Sequence, residues 1–369
     1  MRIILCVTND IATDRRVNRI ALSLMKRPAD ILLIGRTFTN SMALPVYKYQ
    51  THRIKMLFKK GPLFYAEYNV RLLFLLLIEK ADLLVANDLD TLPAVFLASK
   101  IKRLPIVYDS HEYFTEVPEL IGRKWVKKIW GNLEAIMLPR IKYAYTVSAS
   151  IAAEYKQKYG INMRVVRNLP YRVEKNVQPS CSLKKTGERI IIYQGSLNIG
   201  RGLEVAIRAM QFIDDSRLII AGTGDVEKEL RELTRSLALQ EKIQFTGRLP
   251  PEELLQYTVQ ADLGISLEEK LGLNYYYALP NKLFDYVQAR IPVLVSDLPE
   301  MASIVLEYGI GKISHTHDPF ELALVFAEML TDHYQRKVWQ SNLEKAARKL
   351  CWENEEGILM GIYQQVLAK

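Results

Sequence analysis

Short apolar runs alternate along the chain with segments whose apolar residues recur every three or four positions. The runs "RIILCV", "DILLIG", "ADLLVAND" and "PIVYDSHE" read as strands. Helices are expected near residues 14–26, after Pro62 and after Pro93. A helix over residues 124–138 follows, then the strand "YAYTVSAS", another helix and the strand "RVVRNLP". Such alternation predicts a parallel sheet covered by helices on both faces. Between Tyr171 and Glu188 the text is polar, holds Pro179 and Gly187, and follows neither apolar period, which places a linker at 171–188. A second unit repeats the pattern with "RIIIYQGS", "RLIIAGTG", "KIQFTG", "ADLGISL", "PVLVSD" and "GIGKIS", and the chain reads as helical from Pro319 on.

The expected organisation is α/β: a doubly wound domain over 1–170, the linker, a second over 189–350, and a helix over 351–369 packing back toward the first domain. Two such sheets put the carboxyl ends of their strands across a cleft, where open α/β sheets bind ligands, so functional residues are expected just after strands.

Composition agrees with two globular domains, at 49% hydrophobic and 25% charged residues in 369. The net charge of +9 favours an anionic partner: a nucleotide, nucleic acid or a phospholipid surface. Cys6, Cys181 and Cys351 lie far apart without ligand spacing, so neither a disulfide framework nor a zinc site is expected, and a reducing, cytoplasmic compartment is. The start lacks an apolar region of signal-peptide length, and the run Leu72 to Ile78 falls far short of the roughly 20 residues that span a bilayer. His315 and His317 have no third ligand nearby, so no metal is expected.

Four turns that lead into helices carry chemistry. In "YQGSLNIGRGLEVAIRAM", glycines 195, 200 and 202 and Arg201 form either a diphosphate cradle or an ordinary tight turn. "LIIAGTGDVEKEL" repeats the arrangement with Gly222 and Gly224, and "IQFTGRLPPEEL" puts Arg248 and Leu249 where exposed backbone can pair with a base edge. The fourth, "ALPNKLFDY", has Asn281 as an expected helix cap, with the amides near Lys282 and Leu283 free for an anion. Asp285, one turn in, either accepts ribose hydroxyls or complements the helix dipole.

In order, "GSLNIGRGLE", "AGTGD", "FTGRLPPEEL", "ADLGISL" and "ALPNKLFDYVQARIPVLVSD" resemble the C-terminal half of the retaining, nucleotide-sugar-dependent glycosyltransferases of family four, with the GT-B fold. "VTNDIATDRRVNRIALSL", "ANDLDTLPA" and "YDSHEYFTE" extend the resemblance through the N-terminal half. The resemblance implies that Gly195, Arg201 and Gly202 hold the donor diphosphate and that Asp285 binds its ribose. Two positions depart from it: Ser196 stands where the family has an arginine, and Tyr277 where it has the first Glu of its Glu, seven residues, Glu motif. Lys282 or Arg248 is expected to restore the missing charge, and Glu268 or Glu269 the contact to the donor sugar. His111, after "PIVYDS", matches a family histidine that touches the donor sugar; read alone it is equally a structural histidine. Asp14, Asn87, Asp88 and Glu112 occupy comparable loops and are the acceptor-binding candidates.

The donor implied is a UDP or GDP sugar, used without a cofactor and with retention of configuration. A glycan, lipid-linked or free, is the expected acceptor, within cell-surface polysaccharide or glycoconjugate synthesis. In "IGRKWVKKIWGNLEAIML" the apolar positions have helical spacing, with Arg123, Lys124, Lys127 and Lys128 beside two tryptophans. Residues 121–138 therefore either touch an anionic membrane, at the inner face of the plasma membrane, or pack on the sheet with a solvated basic side. A nucleotide-sugar 2-epimerase of the same fold and a non-catalytic nucleotide- or membrane-binding module are the alternatives. Nucleic acid is not an expected partner, since no reader motif appears.

Overall fold

The computed structural model describes all residues except 39, 40, 42, 118, 119, 121, 175–181 and 369. Ile121, which opens the expected membrane segment, Cys181 and the middle of the expected linker lie outside the described residues. The chain divides into unit 1, Met1–Asn168 with Glu355–Lys369, and unit 2, Leu169–Asn354.

Unit 1 runs β1 (Arg2–Cys6), α1 (Arg15–Leu24), β2 (Asp30–Arg36), β3 (Gln50–Ile54), α2 (Pro62–Ile78), β4 (Leu83–Asn87), α3 (Leu92–Lys102), β5 (Ile106–Ser110), α4 (Lys124–Met137), β6 (Tyr143–Thr146), α5 (Ala149–Tyr159) and β7 (Arg164–Val165). Its parallel sheet has the order β3-β2-β1-β4-β5-β6-β7. The central strands β1 and β4 are covered on both faces, which is why they read as unbroken apolar runs.

Unit 2 runs β8 (Arg189–Gln194), α6 (Leu203–Ala209), β9 (Ser216–Ala221), α7 (Glu227–Ser236), β10 (Ile243–Gly247), α8 (Pro251–Thr258), β11 (Leu263–Ser266), α9 (Gly272–Tyr276), α10 (Asn281–Ala289), β12 (Val293–Ser296), α11 (Pro299–Tyr308), β13 (Gly311–Ser314), α12 (Pro319–Thr331) and α13 (His333–Lys349). The sheet order β10-β9-β8-β11-β12-β13 is again parallel. The final helix, α14 (Trp352–Leu367), begins in unit 2, and its residues from Glu355 on group with unit 1.

In each sheet the strand order reverses once, between β1 and β4 and between β8 and β11. A crevice opens there at the carboxyl ends, because the helices following the two strands go to opposite faces. The turns that carry the candidate residues leave the sheets at these ends.

Three local readings need correction. "QTHRI" forms β3, a strand absent from the sequence reading; it lies at the sheet edge, with polar residues and little burial, so no apolar run announces it. The tyrosine-rich stretch "LGLNYYY" reads as a loop from its sequence, but Gly272–Tyr276 within it is the short helix α9. Asn281 is not a cap: Pro280 holds the N-cap position, Asn281 is the first helical residue, and the Leu283 amide donates to the Pro280 carbonyl at 3.1 Å. Leu283 itself is a core residue. Proline fits this position because its φ is already set for the chain's entry into the helix.

Candidate active site

In unit 2 the turns after β8, β9 and β10 lie side by side, tied by Gly195 N–H to Ala221 O at 2.9 Å and Gly222 N–H to Gly247 O at 2.8 Å. Glycine is required where these backbones meet. A Cβ on Gly222 would stand 1.8 Å from the Gly195 carbonyl oxygen, and one on Gly202 2.2 Å from that of Leu267. Both also have positive φ, +152° and +67°. Gly224 packs equally tightly on the backbone of Leu197. Ser196 is exposed on this surface, its carbonyl accepting from the Tyr193 hydroxyl at 2.7 Å.

Against the glycine turn stands a cluster of three charges. Glu268, just past β11, has no exposed surface; its Oε1 meets Lys282 Nζ at 2.7 Å and Arg201 at 3.5 Å, while Oε2 accepts from the Ser266 hydroxyl at 2.7 Å. Burial pushes the Glu268 carboxyl up, but Lys282 and Arg201 outweigh it and hold the group below the ordinary carboxylate range. Its oxygens are thus spent on protein groups, which makes Glu268 the counter-ion of two cations and not, in this structure, a group free to hold a sugar. One positive charge is left over from the two cations and one anion.

Aromatic rings position both cations. Lys282 lies 4.0 Å from the centroid of Tyr193 and Arg201 4.6 Å from that of Tyr275, whose hydroxyl donates to the Ile199 carbonyl at 3.4 Å. The Lys282 ammonium would be 3.7 Å from a Cβ placed on Gly195, so it sits at the glycine turn. Arg248 is exposed beyond the edge strand β10, two strands from β8 and so roughly 10 Å along the sheet. Leu249 follows it, half-buried. Asp285, one turn into α10, accepts from the Gln194 side chain at 2.8 Å, and the other end of that amide accepts from the Thr258 hydroxyl at 2.8 Å. Tyr277 is the C-cap of α9, its ring tilted at 54° to that of Tyr276 with centroids 5.1 Å apart.

Unit 1 gathers a second network at the ends of β4 and β5. His111 has both ring nitrogens against carboxylates, Nδ1 at 3.2 Å from Asp88 and Nε2 at 3.1 Å from Asp109, and its backbone N–H donates to Asp88 at 2.7 Å. Asp88 takes the left-handed conformation, φ 61°, which turns its carboxylate back toward the histidine. Buried Arg16, from α1, grips Asp109 with Nε at 3.0 Å and Nη2 at 2.7 Å, and donates to the Val166 carbonyl at 3.1 Å. Burial raises the Asp109 pKa, but Arg16 and His111 outweigh it and bring it down to about 2. For His111, burial lowers the value while Asp88 and Asp109 raise it, to about 9. The ring is therefore protonated at neutral pH and donates to the ionised Asp109, while burial pushes Asp88, opposite Nδ1, up to about 8, so that this carboxyl takes up a proton in the same range.

The stability it confers is fully present below the unfolded value near 6.5 and lost as pH rises through about 9. The melting temperature of the wild type is expected to fall relative to that of His111→Gln over this window. Parallel melting curves against pH would show an uncharged ring.

The remaining acceptor-binding candidates have mostly structural bonds. Asp14 is the N-cap of α1, accepting from Val17 N–H at 3.1 Å and from the Asn9 side chain at 3.1 Å. Asn87 is buried, donating to the Cys6 carbonyl at 3.0 Å, with its side-chain oxygen unpartnered. Glu112 is half-buried, and its carbonyl accepts from the Ser110 hydroxyl at 2.8 Å. Among the described residues no His, Cys, Asp and Glu cluster could hold a metal, and no helix is long and apolar enough to cross a membrane. Cys6 and Cys351 are free and buried.

Sequence reading missed Arg16, Tyr193, Tyr275 and Gln194. Arg16 was detectable: it falls on the apolar face of α1, beside Val17 and Ile20, where only a paired arginine is stable. The tyrosines gave no signal, since a ring under a cation is indistinguishable in sequence from a core ring.

Two doubly wound parallel sheets, with glycine-rich turns at the carboxyl end of the second, form the architecture of the GT-B class. Residues 175–346 match the family model "Glycosyl transferases group 1" and residues 13–169 match "Glycosyltransferase Family 4". Together the matches span most of both units, and the chain belongs to the group 1 glycosyltransferases of family four. An uncharacterized glycosyltransferase of Methanocaldococcus jannaschii is 26% identical over 203 residues, 53% of this chain and 50% of that protein. The matches span about half the length of the curated relatives. Sucrose-phosphate synthase from Thermosynechococcus elongatus superposes with TM-score 0.78 at 17% identity, covering 100% of this chain and 99% of that one. Anabaena HepE, solved in complex with UDP and glucose, does so with TM-score 0.73 at 15% identity, covering 100% of both.

Proposed function

We propose that the protein transfers a sugar from a nucleoside diphosphate donor to a glycan acceptor, lipid-linked or free, with retention of configuration, in cell-surface polysaccharide or glycoconjugate synthesis. The observation carrying this reading is the Lys282–Glu268–Arg201 cluster against the Gly195 turn. An excess positive charge, largely withdrawn from water and aimed at close-packed glycine backbone, suits a diphosphate that gains negative charge as the glycosidic bond to the donor breaks. Lys282 supplies the charge that the family's arginine would bring at Ser196; Arg248 lies two strands away. Tyr277 cannot replace the family's glutamate as an acceptor for sugar hydroxyls except through its phenol oxygen, so the sugar contacts of this chain differ from the family pattern. His111, kept protonated beside the ionised Asp109, serves as a fixed charge and not as a base.

Anabaena HepE, of the same fold, was solved with UDP, and with UDP-glucose in a further structure, which supports a UDP sugar as the first donor to test. GDP sugars come next. The 2-epimerase alternative is not favoured, because both family models describe glycosyltransferases.

Thermal unfolding with UDP, GDP, ADP and CMP, each with magnesium and with EDTA, tests the reading. A nucleotide at 100 times its dissociation constant is expected to add about 2.7 kcal/mol of stability. The selected nucleotide should lose this effect in Asp285→Ala. No shift with any of the four would sink the donor site and favour the non-catalytic module.

A further inference from the structure

The outer face of unit 1 carries apolar side chains that its fold leaves uncovered. On α2, Val70, Phe74 and Ile78 follow one another at four-residue spacing on the side opposite the buried Phe64, Tyr68, Leu72 and Leu76. Phe74 is 62% exposed and Ile78 80%. Ile101 on α3, and Trp125 and Ile129 on α4, are likewise exposed, Trp125 at 79%. Apart from the Glu67–Arg71 ion pair on the same side, the exposed face of α2 is apolar, as suits a helix that meets another apolar phase.

The three helices form one layer. The Asn69 side chain of α2 accepts from Ala94 N–H of α3 at 3.0 Å, Lys102 of α3 donates to the Leu76 carbonyl at 2.9 Å, and Tyr65 of α2 meets Trp130 of α4 edge-on with ring centroids 5.1 Å apart. Their exposed apolar residues therefore lie on one fixed helical layer, and apolar residues gathered in this way mark interaction surfaces.

Charge identifies what covers it. Lys59 and Lys60 precede α2, Lys100 and Arg103 lie at the end of α3, and Lys124 and Lys128 are on α4, all exposed. Among the described residues the acids of the same region are engaged: Glu67 with the Leu57 and Phe58 amides and Arg71, Glu79 with Arg2, Asp82 with the Arg2 amide, Glu116 with Lys127, while Glu134 is buried. A second copy docked on this face by two-fold symmetry would set the described cations against one another, the described acids being already engaged. An anionic bilayer answers both features, taking the apolar stripes into its acyl boundary and the cations among its phosphates, with Trp125 at the interface where tryptophan is favoured.

We propose that α2, α3 and α4 together are a docking surface for an anionic lipid bilayer, extending well beyond the α4 segment that the sequence singles out. The proposal uses no donor-site residue and stands or falls separately from the reaction above.

The test is co-sedimentation of the full chain with phosphatidylcholine vesicles, with and without phosphatidylglycerol. Binding is expected only with the anionic lipid, weakening as salt is raised. Trp125 is the one exposed tryptophan of the four, so brominated lipid should quench part of the emission, and Trp125→Phe should abolish that part. The double variant Phe74→Glu with Ile78→Glu, on α2, should weaken vesicle binding at least about tenfold. Its melting temperature and its nucleotide response should be unchanged. Unaltered binding by that variant would overturn the three-helix surface. So would a dimer in sedimentation velocity, without vesicles, that the variant dissolves, since the face would then be a contact between copies. A loss of melting temperature in the double variant calls for Lys124→Glu with Lys128→Glu, at exposed positions, whose full retention of vesicle binding would equally overturn the proposal.

Discussion

Replacement of Lys282 by alanine is expected to lower transfer from a nucleotide sugar by at least about a hundredfold, the scale of removing one preorganised charge from a reacting centre. It should also destabilise the fold, because Glu268 stays buried with only Arg201, 3.5 Å away, to balance it. Breaking a buried pair costs about 3–5 kcal/mol, and the remaining arginine places this case near the lower end. The two effects are separable. Adding Glu268→Gln to Lys282→Ala removes the stranded anion and should restore most of the melting temperature while leaving transfer low. If the single variant binds nucleotide as the wild type does, Lys282 has no part in holding the diphosphate.

Arg16→Met should be among the most destabilising single changes in unit 1, by about 3–5 kcal/mol. The Asp109 carboxylate would lose a two-pronged partner in a site with no exposed surface, keeping only His111 at 3.1 Å. Combined with Asp109→Asn, the same substitution should be far milder, since a neutral amide leaves no unpaired charge. A second readout separates positioning from mere support: the imidazole titration, followed by NMR, should move below about 9 in Asp109→Asn as one of its two flanking carboxylates is removed. An unmoved titration would mean that Asp109 does not hold the ring's proton.

The two networks differ in how far they can be read from the chain. Gly195, Arg201 and His111 stand in turns after apolar strands, and such turns point to the carboxyl edge of a parallel sheet whatever the family; Lys282 lies in the first turn of α10. The partners that decide their chemistry are elsewhere. Glu268 is 67 residues from Arg201 and 14 from Lys282, and Arg16 is 93 from Asp109. No local pattern links them, because which loops meet follows from strand order and not from spacing. Asn281 shows the opposite failure: a good cap residue by type, displaced by one position because Pro280 already sets the entry into α10.

The sequence by itself determined the two α/β units, the strands with buried faces, and the family, since hydrophobic period and turn glycines are local properties that survive without coordinates. It did not show β3, whose edge position needs no apolar run. Only the tertiary structure decided that Glu268 is a counter-ion, that both ring nitrogens of His111 are held by carboxylates, and that three helices share one uncovered apolar face. Each of these depends on groups distant along the chain being brought within a few ångströms, where burial and charge act together.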